Sequence, residues 1–183
     1  ARSVPEDQHQ LLLLGAGHGV EVLGLFLDEL HHEFDNVLNS GVALAVNNLV
    51  KEKNAIMINT GAATSDLTNA QCSPNTIHWV YDTYMLANGT GKALVKSGGD
   101  SWYFLTADYA FGAALQNDTS NVVKAAGGTI VGSVKHPLSA SDFSSFLLQA
   151  QSSKAQILGM ANAGGDTINT IKAANEFGIT KSM

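Results

Sequence analysis

The chain has 183 residues, of which 45% are hydrophobic and 14% are charged, a composition typical of a globular protein with a substantial buried core. It carries 10 Lys and Arg against 16 Asp and Glu, and this formal charge of −6 argues against a nucleic-acid or anionic-membrane surface. The single cysteine, Cys72, excludes an internal disulfide and any metal site built from several cysteines.

The N-terminal part of the chain reads as a polar arm followed by one strand, turn and helix unit. The apolar run at residues 11–14 is too short to span a bilayer and lacks the flanks of a signal peptide, so we expect a mature or a cytoplasmic chain. A glycine-rich turn at 15–19 follows the run, and apolar residues then recur at helical spacing from Val20 to Phe34.

The turn at 15–19 has two interpretations. Glycines before a helix let the backbone approach a phosphate, which would make this a nucleotide-binding protein. However, Val20 stands where the dinucleotide fingerprint has its third glycine, and the acidic residue Asp35 comes early. The other interpretation is a plain turn between strand and helix.

From residue 39 onward, helices and strands alternate. A helix follows Ser40, its predicted N-cap, and a strand at 55–58 leads into a long irregular stretch that ends near Trp79. The remaining elements are a helix at 81–96, a strand at 102–106, a helix up to 126, a strand at 129–134, a helix at 141–151, a strand at 156–160 and a helix at 166–177.

This alternation predicts the α/β class, with parallel sheet layers covered by helices on both faces. We count five strands. We expect a first lobe at residues 1–97 and a second lobe at 98–183, because the long helix that ends at Lys96 is followed by a glycine-rich break.

Polar and aromatic residues follow three of the predicted strands, which end at Ile58, Thr106 and Met160. If these strands share one carboxyl edge, their loops together suit a small zwitterion. Hydroxyls and backbone amides would bind a carboxylate, and an aspartate would bind an ammonium group. Aromatic rings would cover an apolar side chain. The residues concerned are Ala62, Thr64, Ser65, Asp108, Tyr109, Phe111, Asn162 and Asp166.

Each of these residues also has a structural interpretation. Thr64 and Ser65 are typical turn caps, Asp166 is a typical N-cap, and Phe111 suits a core. Taken together on one edge they favour binding. Catalysis lacks support, because neither His78 nor His136 sits in a nucleophile motif, and we expect both at the surface or in loops. We therefore predict no enzyme activity, no cofactor and no metal.

Several phrases resemble the extracytoplasmic substrate-binding proteins of ABC transporters, of the branched-chain amino-acid-binding kind with the type I periplasmic-binding fold. The resemblance runs from about residue 39 to the end and leaves residues 1–36 unrecognised. It is carried by Asn-Ser-Gly-Val-Ala at 39–43, Gly-Ala-Ala-Thr-Ser-Asp-Leu-Thr at 61–68, Trp-Val-Tyr-Asp at 79–82, Ala-Asp-Tyr-Ala-Phe-Gly at 107–112 and Asp-Phe-Ser-Ser-Phe at 142–146.

The resemblance implies two lobes that close over a small ligand, such as an amino acid or a related acid, and dock on a membrane permease. It also implies a periplasmic or other extracytoplasmic location. By resemblance, Ser40, Ala62 and Thr64 would bind the ligand from the first lobe. Tyr109 or Phe111, with the loop at 162–166, would complete the pocket from the second.

The sequence also departs from the family pattern. A single strand and helix unit precedes the Asn-Ser-Gly phrase, and the chain stops where the family continues, so we expect a truncated chain or a hybrid. Such a chain would expose sheet edges that invite pairing with a second copy. Three hypotheses follow: a non-catalytic solute-binding module, a nucleotide-binding protein that uses residues 15–19, or an inactive fragment.

Overall fold

A computed structural model of the chain describes residues 12–13, 33–35, 38–181 and 183. The expected glycine turn at 15–19 and residues 20–32 of the expected helix lie outside the described residues. The contacts divide the chain into two units, residues 1–62 with 67–80 and residues 63–66 with 81–183. The lobe boundary expected between residues 97 and 98 stays a prediction.

The first unit contains a parallel sheet of four strands in the order β1-β2-β3-β4. One helix, α1, leads from β2 to β3. The elements are β1 (Leu12–Leu13), β2 (Glu33–Asp35), α1 (Ser40–Lys53), β3 (Ile56–Asn59) and β4 (Thr76–His78). The buried face of α1 packs on β3 and on the loop that follows it, through a core that includes Ala43, Val50, Met57 and Leu67.

The second unit contains a parallel sheet of three strands in the order β6-β5-β7. Its elements are α2 (Thr83–Lys96), β5 (Ser101–Ala107), α3 (Ala110–Ala125), β6 (Thr129–His136), α4 (Ser144–Ser152), β7 (Ile157–Ala161) and α5 (Gly165–Glu176). Gly98 and Gly127 follow α2 and α3 with φ of +97° and +98°, a conformation that favours glycine and ends both helices.

The central strand β5 is buried on both faces, as its apolar run predicts. Trp102 and Phe104 pack on one side with Val95 of α2 and Val123 of α3. Leu105, on the other side, packs with buried side chains of α4 and α5. Helices therefore cover both faces of this sheet, which confirms that part of the predicted architecture.

Three expectations from the sequence are wrong. Phe34 and Asp35 belong to strand β2 and not to a helix, because they pair in parallel with β1 and β3. The irregular stretch before Trp79 contains a further strand, β4. Finally, Ile58 and Thr106 lie in different sheets, so the loops after β3, β5 and β7 do not share a single carboxyl edge.

None of the helices that the structure describes combines the length and the apolar character needed to cross a bilayer. Among the same residues, no group of three or more His, Cys, Asp or Glu side chains is placed to hold a metal ion.

Candidate functional site

Ser40 lies at the start of α1 in the first unit, but it is not the N-cap. The cap is Asn39, whose Oδ1 accepts hydrogen bonds from the backbone of Gly41 at 2.8 Å and Val42 at 3.2 Å. The predicted capping role of Ser40 is therefore wrong, since its neighbour already performs it. Ser40 is 1% exposed, and its hydroxyl has no hydrogen-bond partner among the residues that the structure describes.

Ala62 is held in the loop after β3 by the side chain of Asn59. Asn59 Nδ2 donates to the Ala62 carbonyl at 2.6 Å, and the Ala62 amide donates back to Asn59 Oδ1 at 3.0 Å. Both main-chain groups of this fully buried alanine are thus engaged within the loop. The carbonyl oxygen keeps one lone pair for another donor, whereas the amide is already used.

Thr64 and Ser65 belong to the short segment that contacts assign to the second unit. The Thr64 hydroxyl accepts from the amide of Asp66 at 3.3 Å, at the start of a 3₁₀ turn, as its interpretation as a turn cap expects. The Ser65 amide donates to Thr83 Oγ1 at 3.1 Å, and the Ser65 hydroxyl donates to Asp118 Oδ2 at 2.8 Å. The segment is therefore fixed to α2 and α3.

Tyr109 is the N-cap residue of α3 and Phe111 is its second residue, and their ring centroids are 5.9 Å apart. Phe111 is buried, which agrees with its interpretation as a core residue. Burial raises the pKa of the half-buried Tyr109 phenol, and the charges of Asp166 and Tyr81 raise it further. Tyr109 at the start of α3 and Asp166 in the first turn of α5 are therefore close enough to interact electrostatically.

Asp166 is the second residue of α5 and is buried. Its Oδ2 accepts a 3.1 Å hydrogen bond from the amide of Ser139, in the loop after β6. The N-cap is Gly164, with φ of +60°, so the predicted capping role of Asp166 is wrong. A carboxylate in the first turn is nevertheless favoured by the helix dipole.

Asn162 directly follows β7 and belongs to a buried network that the sequence did not predict. Its Nδ2 lies 3.3 Å from Nε2 of His136 and 3.3 Å from the Thr170 hydroxyl, while Thr167 donates to its Oδ1 at 2.8 Å. His136 Nδ1 lies 2.9 Å from the Pro137 carbonyl. A tautomer that donates to this carbonyl leaves Nε2 to accept from Asn162.

His136 is fully buried at the end of β6, against the rings of Phe143 and Phe146. The expectation of a surface or loop histidine is wrong for this residue, because β6 runs two residues further than its apolar pattern indicates. Its ring nitrogens contact a carbonyl and an amide but no serine, which is the environment of a structural histidine.

An open cleft of about 480 Å³ lies beside Asp166 in the second unit. Its wall is formed by residues 138–141, by Ala163 and Gly165, and by Asp166 and Asn169 of α5. The cleft has the size of a small-molecule site. The second unit thus brings Tyr109, Phe111, Asn162 and Asp166 to one edge of its sheet, whereas Ser40 and Ala62 lie in the first unit.

Residues 36–183 match the sequence profile of the family described as "Periplasmic binding protein". A solved periplasmic binding protein from Burkholderia mallei is 63% identical, with a TM-score of 0.79, over 83% of this chain and 40% of that one. A curated relative, Leu/Ile/Val-binding protein homolog 6 of Brucella melitensis, is 26% identical over 76% of this chain and 36% of its own length.

A solute-binding protein of an ABC transporter from Rhodopseudomonas palustris, solved with 3,4-dihydroxybenzoic acid, is 27% identical, with a TM-score of 0.71. The match covers 81% of this chain and 40% of that one. The chain therefore spans about two fifths of the length of these relatives. The family and fold class predicted from the motifs are confirmed: this chain belongs to the periplasmic binding protein family.

Proposed function

We propose that this chain takes part in the capture of a small carboxylate-bearing solute, an amino acid or a related acid, for ABC-type uptake, without catalysis. The observation that carries the proposal is the buried hydroxyl of Ser40, which has no hydrogen-bond partner among the described residues. It lies at the N-terminus of a 14-residue helix. A buried donor at the positive end of a helix favours a negatively charged acceptor, and a carboxylate is such a group.

In the second unit, we propose that Asp166 binds a positively charged or hydroxyl group of the solute. One of its carboxylate oxygens accepts from Ser139, and the residue borders the open cleft. Tyr109 and Phe111 supply aromatic surface for an apolar part, and Asn162 lines the same sheet edge. Thr64 and Ser65, with Ala62 of the first unit, complete the proposed set of ligand-binding residues.

The relatives support the capture of a small solute for ABC-type uptake and do not fix the chemical class of that solute. One is named for leucine, isoleucine and valine, and another was solved with a dihydroxybenzoate. By the same family relationship we propose that the complete protein works outside the cytoplasm and delivers its solute to a membrane permease. No specific observation favours the nucleotide-binding alternative, since residues 15–19 lie outside the described residues.

We also propose that the outer edges of β6 and β7 permit pairing with a second copy of the chain. Each of these strands pairs only with β5 among the strands that the structure describes. Their outer backbone groups are thus available for another strand. Light scattering coupled to size exclusion would give a molar mass of about twice 19.2 kDa if such pairing occurs, and a monomer mass would reject it.

Calorimetric titration of the 183-residue chain with leucine, benzoate and the corresponding alcohols, leucinol and benzyl alcohol, which lack the carboxylate, tests the main proposal. We expect at least one acid to bind and the corresponding alcohol to bind at least about tenfold more weakly. Ser40→Ala should weaken binding of the acid, whereas Ser133→Ala, which removes an exposed hydroxyl, should not. No heat with any acid would contradict the proposal.

A further inference from the structure

Two side-chain polar atoms are buried without a hydrogen-bond partner in the part of the chain that the structure describes: Ser40 Oγ and His78 Nε2. Buried polar groups nearly always have a partner, and leaving one unsatisfied costs about 1–3 kcal/mol. Ser40 is already part of the proposed function. His78 was expected to be a surface or loop residue, yet this ring nitrogen is shielded from solvent at the end of β4.

His78 lies on the face of β4 that α1 covers. Thr76, two residues before it, donates a 2.6 Å hydrogen bond to Asn47 of α1, so the Thr76 side chain points to this helix. Side chains alternate along a strand, which places His78 on the same face and Ile77 on the opposite one. Ile77 is accordingly 49% exposed.

Ser40 lies on the same side of α1 as Asn47. The two residues are seven positions apart, which is close to two helical turns, and both are 1% exposed. Because α1 connects the parallel neighbours β2 and β3, it runs opposite to the strands and begins at their carboxyl edge. Ser40 and His78 therefore both lie beyond the contact between Thr76 and Asn47, toward the same edge.

Ser40 and His78 lie at comparable distances from the contact between Thr76 and Asn47, each measured along its own element. From Asn47 back to Ser40 the helix covers about 10.5 Å, and from Thr76 to His78 the strand covers about 6.6 Å. The two side chains thus lie within about 4 Å of the same level along the sheet, on the same face. Because the hydrogen bond between Thr76 and Asn47 holds α1 beside β4, two donors at this common level can be directed at one ligand group.

We propose that Ser40 and His78 form one subsite that binds a carboxylate of the ligand, with Ser40 Oγ and His78 Nε2 both donating to it. This inference rests on the proposed function and assigns His78 as a further ligand-binding residue. Asn39 already accepts the bonds of the Gly41 and Val42 amides. The helix therefore favours the anion through its dipole, and the two side chains supply the directed hydrogen bonds.

The test uses calorimetric titration of the 183-residue chain and its variants with leucine, benzoate, leucinol and benzyl alcohol. His78→Phe keeps a ring of similar shape and removes the nitrogen, and we expect it to weaken binding of the acid about tenfold. Binding of the corresponding alcohol, which lacks the carboxylate, should stay within about twofold of its affinity for the parent chain. His78→Gln, which retains a side-chain N–H, should recover most of the affinity.

Two controls separate the subsite from a general effect on folding. Ile77→Val changes the same strand on its opposite face and should leave the affinity unchanged. In a double-mutant cycle, the effects of Ser40→Ala and His78→Phe on the binding free energy should be strongly non-additive. The reason is that both side chains bind the same carboxylate, and the first substitution already weakens the hold on it. Circular dichroism melting curves of all variants identify any that fail to fold.

The possible outcomes distinguish this inference from the proposed function. If the parent chain binds an acid and His78→Phe binds it equally well, the subsite is rejected while solute binding stands. Additive effects of the two substitutions would also reject a shared subsite. If the parent chain binds no acid, the proposed function fails and the subsite fails with it.

Discussion

The hydroxyl of Thr83 donates a 2.6 Å hydrogen bond to the carboxylate of Asp118, and this contact joins the first turn of α2 to the middle of α3. The same carboxylate oxygen accepts from Ser65 at 2.8 Å. One aspartate therefore fixes two helices and a segment of the loop that follows β3. Nothing in the sequence around Asp118 marks it for this role, since it looks like an ordinary polar residue of an amphipathic helix.

Asp118→Ala should destabilise the protein by about 2–4 kcal/mol, because two hydroxyls lose a charged acceptor at a partly buried site. Urea denaturation followed by circular dichroism measures the change. Asn117→Ala is the matched control, since Asn117 is the preceding residue of α3 and is exposed. Equal midpoints for the two variants would show that the hydrogen bonds of Asp118 contribute nothing to stability.

Gly112→Ala should be strongly destabilising, by about 3 kcal/mol or more. A Cβ at this position would clash with the Ala107 carbonyl oxygen and would lie 3.0 Å from that of Ala161. The start of α3 would have to move away from the ends of β5 and β7. Thermal and urea denaturation measure the loss.

Gly89→Ala is the control for this prediction. Gly89 also lies within a helix, α2, but a Cβ there meets no atom within 4 Å. The better helix propensity of alanine should stabilise the protein by about 0.5–1 kcal/mol. Opposite signs for the two substitutions are expected, and a stable Gly112→Ala protein would contradict the close packing of α3 on the sheet.

Asn162→Ala should destabilise the second unit by about 2–4 kcal/mol. The substitution removes the partner of His136 and of two threonine hydroxyls inside a buried network. Asn175→Ala, at an exposed position of α5, is the control. Hydrogen exchange should report faster opening of β7 and α5 in the first variant, and unchanged exchange there would contradict the role of the network.

Stability should fall at alkaline pH in part because of Tyr109. Burial, and then the charges of Asp166 and Tyr81, raise the pKa of this phenol above its ordinary value of 10.0. The unfolded chain loses the proton at lower pH than the folded chain. The contribution of Tyr109 is therefore fully present below about pH 10 and is lost as the pH rises through the raised pKa of the folded state.

Urea denaturation between about pH 9 and pH 11 tests this prediction. The free energy of unfolding of Tyr109→Phe should decline less steeply than that of the parent chain. Tyr84→Phe, at a 61% exposed position, should leave the slope unchanged. Tyr103, whose pKa burial also raises, should account for part of the remaining slope. Equal slopes for the parent chain and Tyr109→Phe would refute the assignment.

Periodicity predicted the elements that bury a continuous apolar face. Strand β5 has six buried residues in succession, and the helices α2, α3 and α5 have regular apolar spacing with a glycine just beyond the end of each. Such elements owe their form to local pattern and local stop signals. Their boundaries were predicted to within a few residues.

The short strands β2 and β4 could not be predicted in the same way. Each has three residues, which is too few to establish an alternating pattern, and each is defined by parallel pairing with a neighbour. In β2, the residues Phe34 and Asp35 even continue a helical spacing. Tertiary pairing decides their conformation against the local pattern.

Ser40 was proposed from the family resemblance, and the other candidate site residues were selected by residue type and by position after a strand. The hydrogen-bond partners of these residues were not predicted. Asn39 and Ser40 are both good caps, and only the backbone shows which of them accepts the helix amides. The contact of His136 with Asn162 joins residues 26 positions apart. Networks of this kind depend on strand order and register, which a single sequence does not contain.

The assignment of residues 63–66 to the second unit means that this unit is not continuous along the chain. A polypeptide that starts at Tyr81 would contain α2, the three-stranded sheet β6-β5-β7 and Asp118. It would lack Ser65, whose hydroxyl donates to the Asp118 carboxylate. It would also lack Ala63, whose carbonyl accepts from the Thr83 amide at 2.8 Å. Anyone who dissects this protein should therefore supply the loop after β3 as a separate peptide, and the two pieces would be expected to reassociate through this short segment.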